Sequence, residues 1–334
     1  MGMGLPEGYS ARSVRREDVR KVVELMAACD LAETGQVDAQ TTDEILNGWE
    51  QLDMDRGSWL VRSPEGAVVA YADVHPHRGG RIDGDVYVLP AHGRRGIGTW
   101  LTRQIEARAQ ELADAMPAGT RVVLYSGINA PNEAAKVLLA HEGYEPARHF
   151  WRMQIELDEP PPAPILPTDI TVRACVLGQD ERVIFDTLEE AFQDHWNHAE
   201  RDYAEWAAMN MRGPGFDPAL WFLALDGDES AGAVRGKLQP DGSGWINTLG
   251  VRRPWRKRGL GMALLLQAFG ALYERGARQV ALGVDAQNPT GATRLYEAAG
   301  MRVAMRFIVY QKVLRAGTES QEQPPTDKTV RATA

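Results

Sequence analysis

One plan is written twice in this chain. Residues 88–101 and 251–264 each hold an apolar run, a turn rich in basic residues, two glycines one residue apart, and then apolar residues at helical spacing. Gly96 and Gly98 in the first copy, like Gly259 and Gly261 in the second, remove side chains where a diphosphate has to approach the backbone. Behind them, Trp100, Leu101 and Ile105, or Leu264, Leu265 and Phe269, predict a helix whose N-terminus faces the turn. Arg94 and Arg95, or Arg256, Lys257 and Arg258, add positive charge. One such turn reads equally well as an ordinary surface loop. Two, with matching patterns downstream, point to a duplicated phosphate-cofactor binder.

The length of 334 residues accommodates two domains, and 44% hydrophobic with 25% charged residues is a globular composition. A formal charge of −9 argues against nucleic acid as the partner. No apolar run reaches the roughly 20 residues that span a bilayer, and the first residues lack a signal-peptide pattern, so the expected location is the cytoplasm, away from membranes. Cys29 and Cys175 stand far apart, without neighbours at metal-ligand spacing, and read as buried thiols. Prolines crowd residues 158–168, which predicts a linker between a first domain, residues 1–157, and a second, residues 169–314. The polar residues 315–334 read as a disordered tail.

Each half repeats one order of elements. In the first, a strand over residues 9–14 precedes a helix over 17–32, a hairpin around Pro64, Glu65 and Gly66, the glycine turn, a strand from Arg121, a helix over 132–141 and a strand over 149–157. In the second, the corresponding strands and helices cover 170–174, 181–192, a hairpin across Asp226 and Gly227, 245–251, the glycine turn, 279–284, 290–299 and 301–312. The fold class expected is α/β (α+β), a mixed central sheet flanked by helices, occurring twice.

With these residues laid out, both halves resemble the GCN5-related N-acetyltransferase (GNAT) superfamily. That family binds acetyl-CoA through a loop of pattern Gln/Arg-x-x-Gly-x-Gly/Ala, and Arg256, Gly259 and Gly261 fill every specified position. Asn288, Tyr296, Gly300 and Met301 are similar to the family's later Asn, Tyr and Gly-Phe signature. The first half departs from the pattern twice: Gly93 replaces the Gln or Arg, and aligning Gly143 with Gly300 sets Leu139 opposite Tyr296. The resemblance therefore implies catalysis in the second half and a degenerate first half that still carries a coenzyme loop at Val88, Arg94, Arg95, Gly96 and Gly98.

The resemblance also implies the chemistry: direct attack of a neutral amine on the acetyl thioester. A backbone N–H in Leu249, Gly250 or Val251 would stabilise the oxyanion. Arg256, Lys257, Arg258, Gly259, Leu260 and Gly261 would hold the diphosphate. Tyr296 would protonate the leaving thiolate, and Asn288 would cap the helix or touch the coenzyme. For the base, His195, His198 and Glu200 stand in one segment between the first two helical patterns of the second half and remain alternatives. His195 and His198 lie three apart, a spacing a helical metal site could use, but no further ligand matches and no metal is expected. Trp196, Trp206 and Trp221 read either as cleft walls or as core. The expected partner is a small-molecule amine, with the chain acting as a monomer containing an internal pseudo-dimer or as a homodimer. The rival functions are a non-catalytic acetyl-CoA sensor or scaffold and a protein N-acetyltransferase.

Overall fold

A computed structural model of the chain describes residues 4–37, 40–193, 195–196, 201–211, 215–288 and 290–318. It folds as two compact units: the described parts of Met1–His149 and Met305–Ala334, and those of Phe150–Ala304.

In chain order the elements are β1 (Ser10–Arg12), α1 (Val19–Thr34), α2 (Thr42–Glu50), α3 (Met54–Gly57), β2 (Ser58–Arg62), β3 (Val68–Pro76), β4 (Arg81–Val88), α4 (Ile97–Ala115), β5 (Val122–Asn129), α5 (Glu133–His141) and β6 (Glu145–Glu156). There follow β7 (Ile170–Ala174), α6 (Glu181–Phe192), α7 (Tyr203–Asn210), β8 (Trp221–Asp226), β9 (Glu229–Leu238), β10 (Gly244–Val251), α8 (Leu260–Glu274), β11 (Gln279–Asp285), α9 (Ala292–Ala298) and β12 (Arg302–Arg315). The expected helix over residues 181–192 and strand over 170–174 recur with the same bounds. Helix α2 has no counterpart among the elements expected from sequence, although Thr41 and Glu44 form a capping box: Thr41 Oγ1 accepts the Glu44 N–H at 3.2 Å, and Glu44 accepts the Thr41 N–H at 2.9 Å.

The first unit's sheet runs β1-β2-β3-β4-β5, antiparallel except for a short parallel β4–β5 pairing, and closes with residues 307–315 of β12 against β5. The second unit's sheet runs β7-β8-β9-β10-β11 and closes with residues 150–156 of β6 against β11. The compact units thus differ from the sequential halves 1–157 and 169–314: each takes its last strand from the other half. The edges of β5 and β11 both present unpaired backbone groups that an antiparallel strand can satisfy, and nothing local in β6 or β12 distinguishes one edge from the other. Ile308 and Tyr310 of β12 are buried in the first core, and Met153 of β6 in the second. Residues 315–318, the start of the expected tail, belong to the first unit. Strand β12 reaches Arg315, and Thr318 accepts the Arg121 N–H at 2.7 Å while donating to Gly119 at 2.9 Å; residues 319–334 lie outside the described residues. The proline-rich stretch 158–168 carries neither helix nor strand.

Each sheet is covered on both faces. In the first unit α4 lies on one face and α1 with α2 on the other; in the second, α8 lies on one face and α6 with α7 on the other. Among the described residues no helix is long and apolar enough to cross a membrane.

Candidate active site

Two strands that begin as parallel neighbours part within each unit. Strand β10 pairs with β11 only through residues 244–246, and there its register against β9 also shifts, with Asn247 as the extra residue. From Asn247 to Val251 it continues beside β9 alone, so backbone groups turned away from β9 have no strand partner among the described residues. This exposes an edge at Leu249, Gly250 and Val251. Strand β4 does the same, pairing with β5 through residues 81–83 and running on unpaired on that side to Val88.

The parted strand leads into the glycine turn, whose backbone is the same in both copies. Lys257 has φ 61° and Gly259 φ 85°; Arg94 has φ 56° and Gly96 φ 85°. Left-handed residues alternating with others turn successive N–H groups to one side, forming a nest for an anion. Gly259 and Gly96 are also the N-caps of α8 and α4, and neither offers a side-chain acceptor to the first-turn N–H groups. Within the protein the two glycines of each copy meet different constraints. A Cβ on Gly259 or Gly96 would meet no protein atom within 4 Å, so what the fold itself asks of glycine there is its φ. A Cβ on Gly261 would lie 3.2 Å from Leu295, and one on Gly98 3.2 Å from Leu138, so glycine there lets α9 or α5 pack onto the helix start.

The basic residues divide as well. Lys257 and Arg258, like Arg94 and Arg95, are exposed and make no ion pair among the described residues. Arg256 is half-buried, its Nε donating to the Val251 carbonyl and its Nη2 to the Ala191 carbonyl, both at 3.0 Å. It ties the turn to the strand end and to α6. Gly93 cannot make that tie in the first unit. Leu260 is buried in the core and anchors the first turn of α8.

Gly250 lies directly under α6: a Cβ there would be 2.9 Å from both Ala191 and Leu188, and 3.4 Å from the Phe192 ring. The Phe192 ring in turn packs on the His195 ring, centroid to centroid 4.1 Å at an interplanar angle of 37°, and the main-chain N–H of His195 donates to the Phe192 carbonyl at 2.9 Å. The fold therefore brings His195 to the α6 side of the parted strand. His198 and Glu200 lie outside the described residues. Tyr296, one residue after the Leu295 that packs on Gly261, is buried, and burial pushes its phenol up to about 12. Leu139 is buried at the matching place in the first unit. Asn288 does not cap α9, whose N-cap is Gly291; its side-chain carbonyl accepts the Thr290 N–H at 2.8 Å and hydroxyl at 2.5 Å. Cys29 and Cys175 are buried free thiols, pushed by burial and neighbouring carboxylates up to about 12 and about 11.

Residues 23–144 and 182–301 each match the acetyltransferase (GNAT) family. The chain belongs to that family. A mycothiol acetyltransferase of Geodermatophilus obscurus is 33% identical over 254 residues, covering 72% of this chain and 77% of the relative. One from Cellulomonas flavigena is 33% identical over 254 residues, covering 73% and 70%. Among solved structures, a GCN5-related N-acetyltransferase from Sphaerobacter thermophilus superimposes with a TM-score of 0.84 at 38% identity, covering 96% of this chain and all of that one. A tandem GNAT protein from the clavulanic acid biosynthesis pathway shares the fold, with a TM-score of 0.67 at 20% identity over 92% and 99% of the two chains.

As a tandem GNAT acyltransferase the chain carries two parted-strand sites, and their sheet faces differ in charge. In the first unit Asp73 stands opposite Asp85, and His75 opposite Asp83, on the face under α1. Tyr71 donates to Asp73, Trp49 Nε1 donates to the Tyr71 hydroxyl at 2.8 Å, and His75 Nε2 lies 2.9 Å from Asp73. Burial, then the charges of Asp73 and Asp83, push the half-buried Asp85 carboxyl up to about 7. Burial opposes charge on His75, but the hydrogen bond and charge of Asp73 outweigh it and raise its pKa. In the second unit the corresponding pair is Arg235 opposite Thr248. None of these residues is singled out by sequence motifs. The available signal is the alternation of Asp73 with His75 and of Asp83 with Asp85, polar residues on one face of otherwise apolar strands.

Proposed function

We propose that the chain is an acetyl-CoA-dependent N-acetyltransferase that moves the acetyl group to a primary amine of a small molecule, with the chemistry in the second GNAT half, residues 169–314. The observation that carries this reading is the β10 edge freed beyond Ile246, running straight into the Lys257–Gly259 nest and the uncapped start of α8. Exposed Lys257 and Arg258, with inward N–H groups, fit the two negative phosphates of a CoA diphosphate. The edge at residues 249–251 fits the amide-rich pantetheine arm and supplies a main-chain N–H to the developing oxyanion. Relatives named for a small molecule, mycothiol, support a small-molecule acceptor.

The amine nitrogen attacks the thioester carbon, a C–N bond forms, the C–S bond breaks, and the amine loses a proton. His195, held on Phe192 beside Gly250, is the described candidate for receiving that proton. Tyr296 faces the other end of the reaction. With its phenol pushed up to about 12 it stays protonated at every working pH, so the donor form is always present to hydrogen-bond the departing sulfur and pass it a proton. The first GNAT half, with Leu139 in place of the phenol, keeps the nest and reads as a coenzyme-binding module.

Titration calorimetry with acetyl-CoA, run beside a thiol-release assay on a library of primary amines, tests the proposal. Coenzyme binding with thiol release on at least one amine is the expected result. Binding without release across the library would favour a sensor, and acetylated protein termini in mass spectra would favour a protein substrate.

A further inference from the structure

Among the described residues, Arg235 is a buried cation without an anion. On β9 it is 5% exposed, its Nη1 donates to Asn210 Oδ1 at 2.7 Å, and its Nη2 donates to Thr248 Oγ1 at 3.0 Å. A guanidinium has five N–H groups, so three remain without an acceptor among the described residues, and Nε is shut off from solvent. Its carbon lies 5.0 Å from the ring centroids of both Trp206 and Trp221. These indoles stabilise the cation through their faces but offer neither a lone pair nor a formal negative charge. Arg201, the charged neighbour, is itself basic and is paired with Glu189. Burial, then the charge of Arg201, pushes the guanidinium down to about 10, the direction expected of a cation that lacks a carboxylate. It remains charged at neutral pH.

The place of this charge gives it meaning. Thr248, its partner on β10, belongs to the segment that has parted from β11 and lies two residues before Gly250 on the same face, under α6 and α7. Resting on the transferase reading above, we infer that Arg235 holds a carboxylate of the amine acceptor, so that this enzyme acylates amines that are also monoacids. A guanidinium fork takes a carboxylate or a phosphate by two parallel hydrogen bonds, but one unpaired guanidinium balances a single negative charge, which is the charge of a carboxylate and half that of a phosphate dianion. The first unit carries the contrast. At the corresponding register positions it has Asp73 and Asp85, whose carboxylates would repel such an acceptor, where the second unit has Arg235 and Thr248.

The test uses the full chain, acetyl-CoA and matched probes: α-, β- and γ-amino acids, each beside the amine that lacks its carboxylate, with thiol release giving kcat/KM. In parallel, calorimetry measures binding of the N-acetylated forms of the same probes. Wild-type protein is expected to favour at least one carboxylate-bearing member about 30-fold or more, the loss typical when a buried charge pair loses one partner. Arg235→Met should abolish that preference by raising KM for the carboxylate-bearing probes to that of the plain amines, and Arg235→Lys should keep part of it. Met sets an apolar chain beside the two indoles and removes an uncompensated charge, so an undiminished melting temperature is expected. Amines turned over without carboxylate preference, or a preference that survives Arg235→Met, would overturn the inference and leave the transferase reading standing. Arg235-dependent binding of N-acetylamino acids without turnover of any amine would do the reverse. Neither binding nor turnover would sink both.

Discussion

At the scale of single residues, the site is built by side chains that are absent as much as by those present. The nest needs φ 85° at Gly259, and any Cβ there adopts a conformation that costs roughly 1–2 kcal/mol. Gly261 instead brings α9, and with it Tyr296, against the start of α8. Tyr296→Phe is therefore expected to lower kcat by roughly 10- to 1,000-fold with little change in acetyl-CoA affinity by calorimetry, since one proton donor is lost and no coenzyme contact. An unchanged kcat would remove Tyr296 from the mechanism. Asp85 gives a prediction of a different kind. Its folded pKa, about 7, exceeds the unfolded value near 4, so the folded state binds the extra proton and stability falls as pH rises through about 7. His75, also raised, acts in the same direction, while the depressed Asp83 takes effect only at acidic pH. Asp85→Asn should flatten the fall of Tm between about pH 5 and 8 and add on the order of 1–2 kcal/mol, a few degrees, at pH 8, the half-buried position limiting the gain. Scanning calorimetry across that range checks it, and a variant that melts lower than wild type at pH 8 would contradict the assignment.

At the scale of elements, the working surface is a strand pressed between a helix and an opening. Strand β10 gives up β11 after Ile246 but keeps β9, and α6 sits close enough to Gly250 that a methyl group would reach 2.9 Å from two of its side chains. Arg256 fastens the turn to the same helix. Gly250→Ala should cost about 1–3 kcal/mol by overpacking and, by displacing α6 from the strand, raise KM for both substrates. Denaturant melts and steady-state kinetics read the two effects, and a neutral variant would show that α6 yields freely. Part of this element is legible in the sequence. Arg256, Gly259 and Gly261 name the family loop, and Leu264 and Phe269 predict the helix behind it. The burial of Gly250 under α6 is not, because it depends on a helix some sixty residues earlier in the chain, and the turn's basic residues look alike in sequence although Arg256 faces carbonyls and Lys257 faces solvent.

At the scale of the molecule, two GNAT repeats exchange their closing strands. Residues 307–315 complete the first unit's sheet, and residues 150–156 complete the second's. Deleting residues 305–334 should consequently expose the β5 edge and strip Ile308 and Tyr310 from the first core, so limited proteolysis of the truncated chain is expected to cut within residues 4–149 before 150–304. Cleavage that begins in the second half would instead support two sequential domains. The sequence alone was sufficient for the duplication, the order of most strands and helices though not α2, α3, β4 or α7, the phosphate-turn motif and the family, because each is written in local periodicity and spacing. Tertiary structure alone decided which edge each last strand covers and which polar residues meet on one face, opposing Asp73 with Asp85 in one unit and isolating Arg235 beside Thr248 in the other. A strand's pattern specifies the face it buries; its neighbour is chosen by backbone hydrogen bonds that every sequence carries alike.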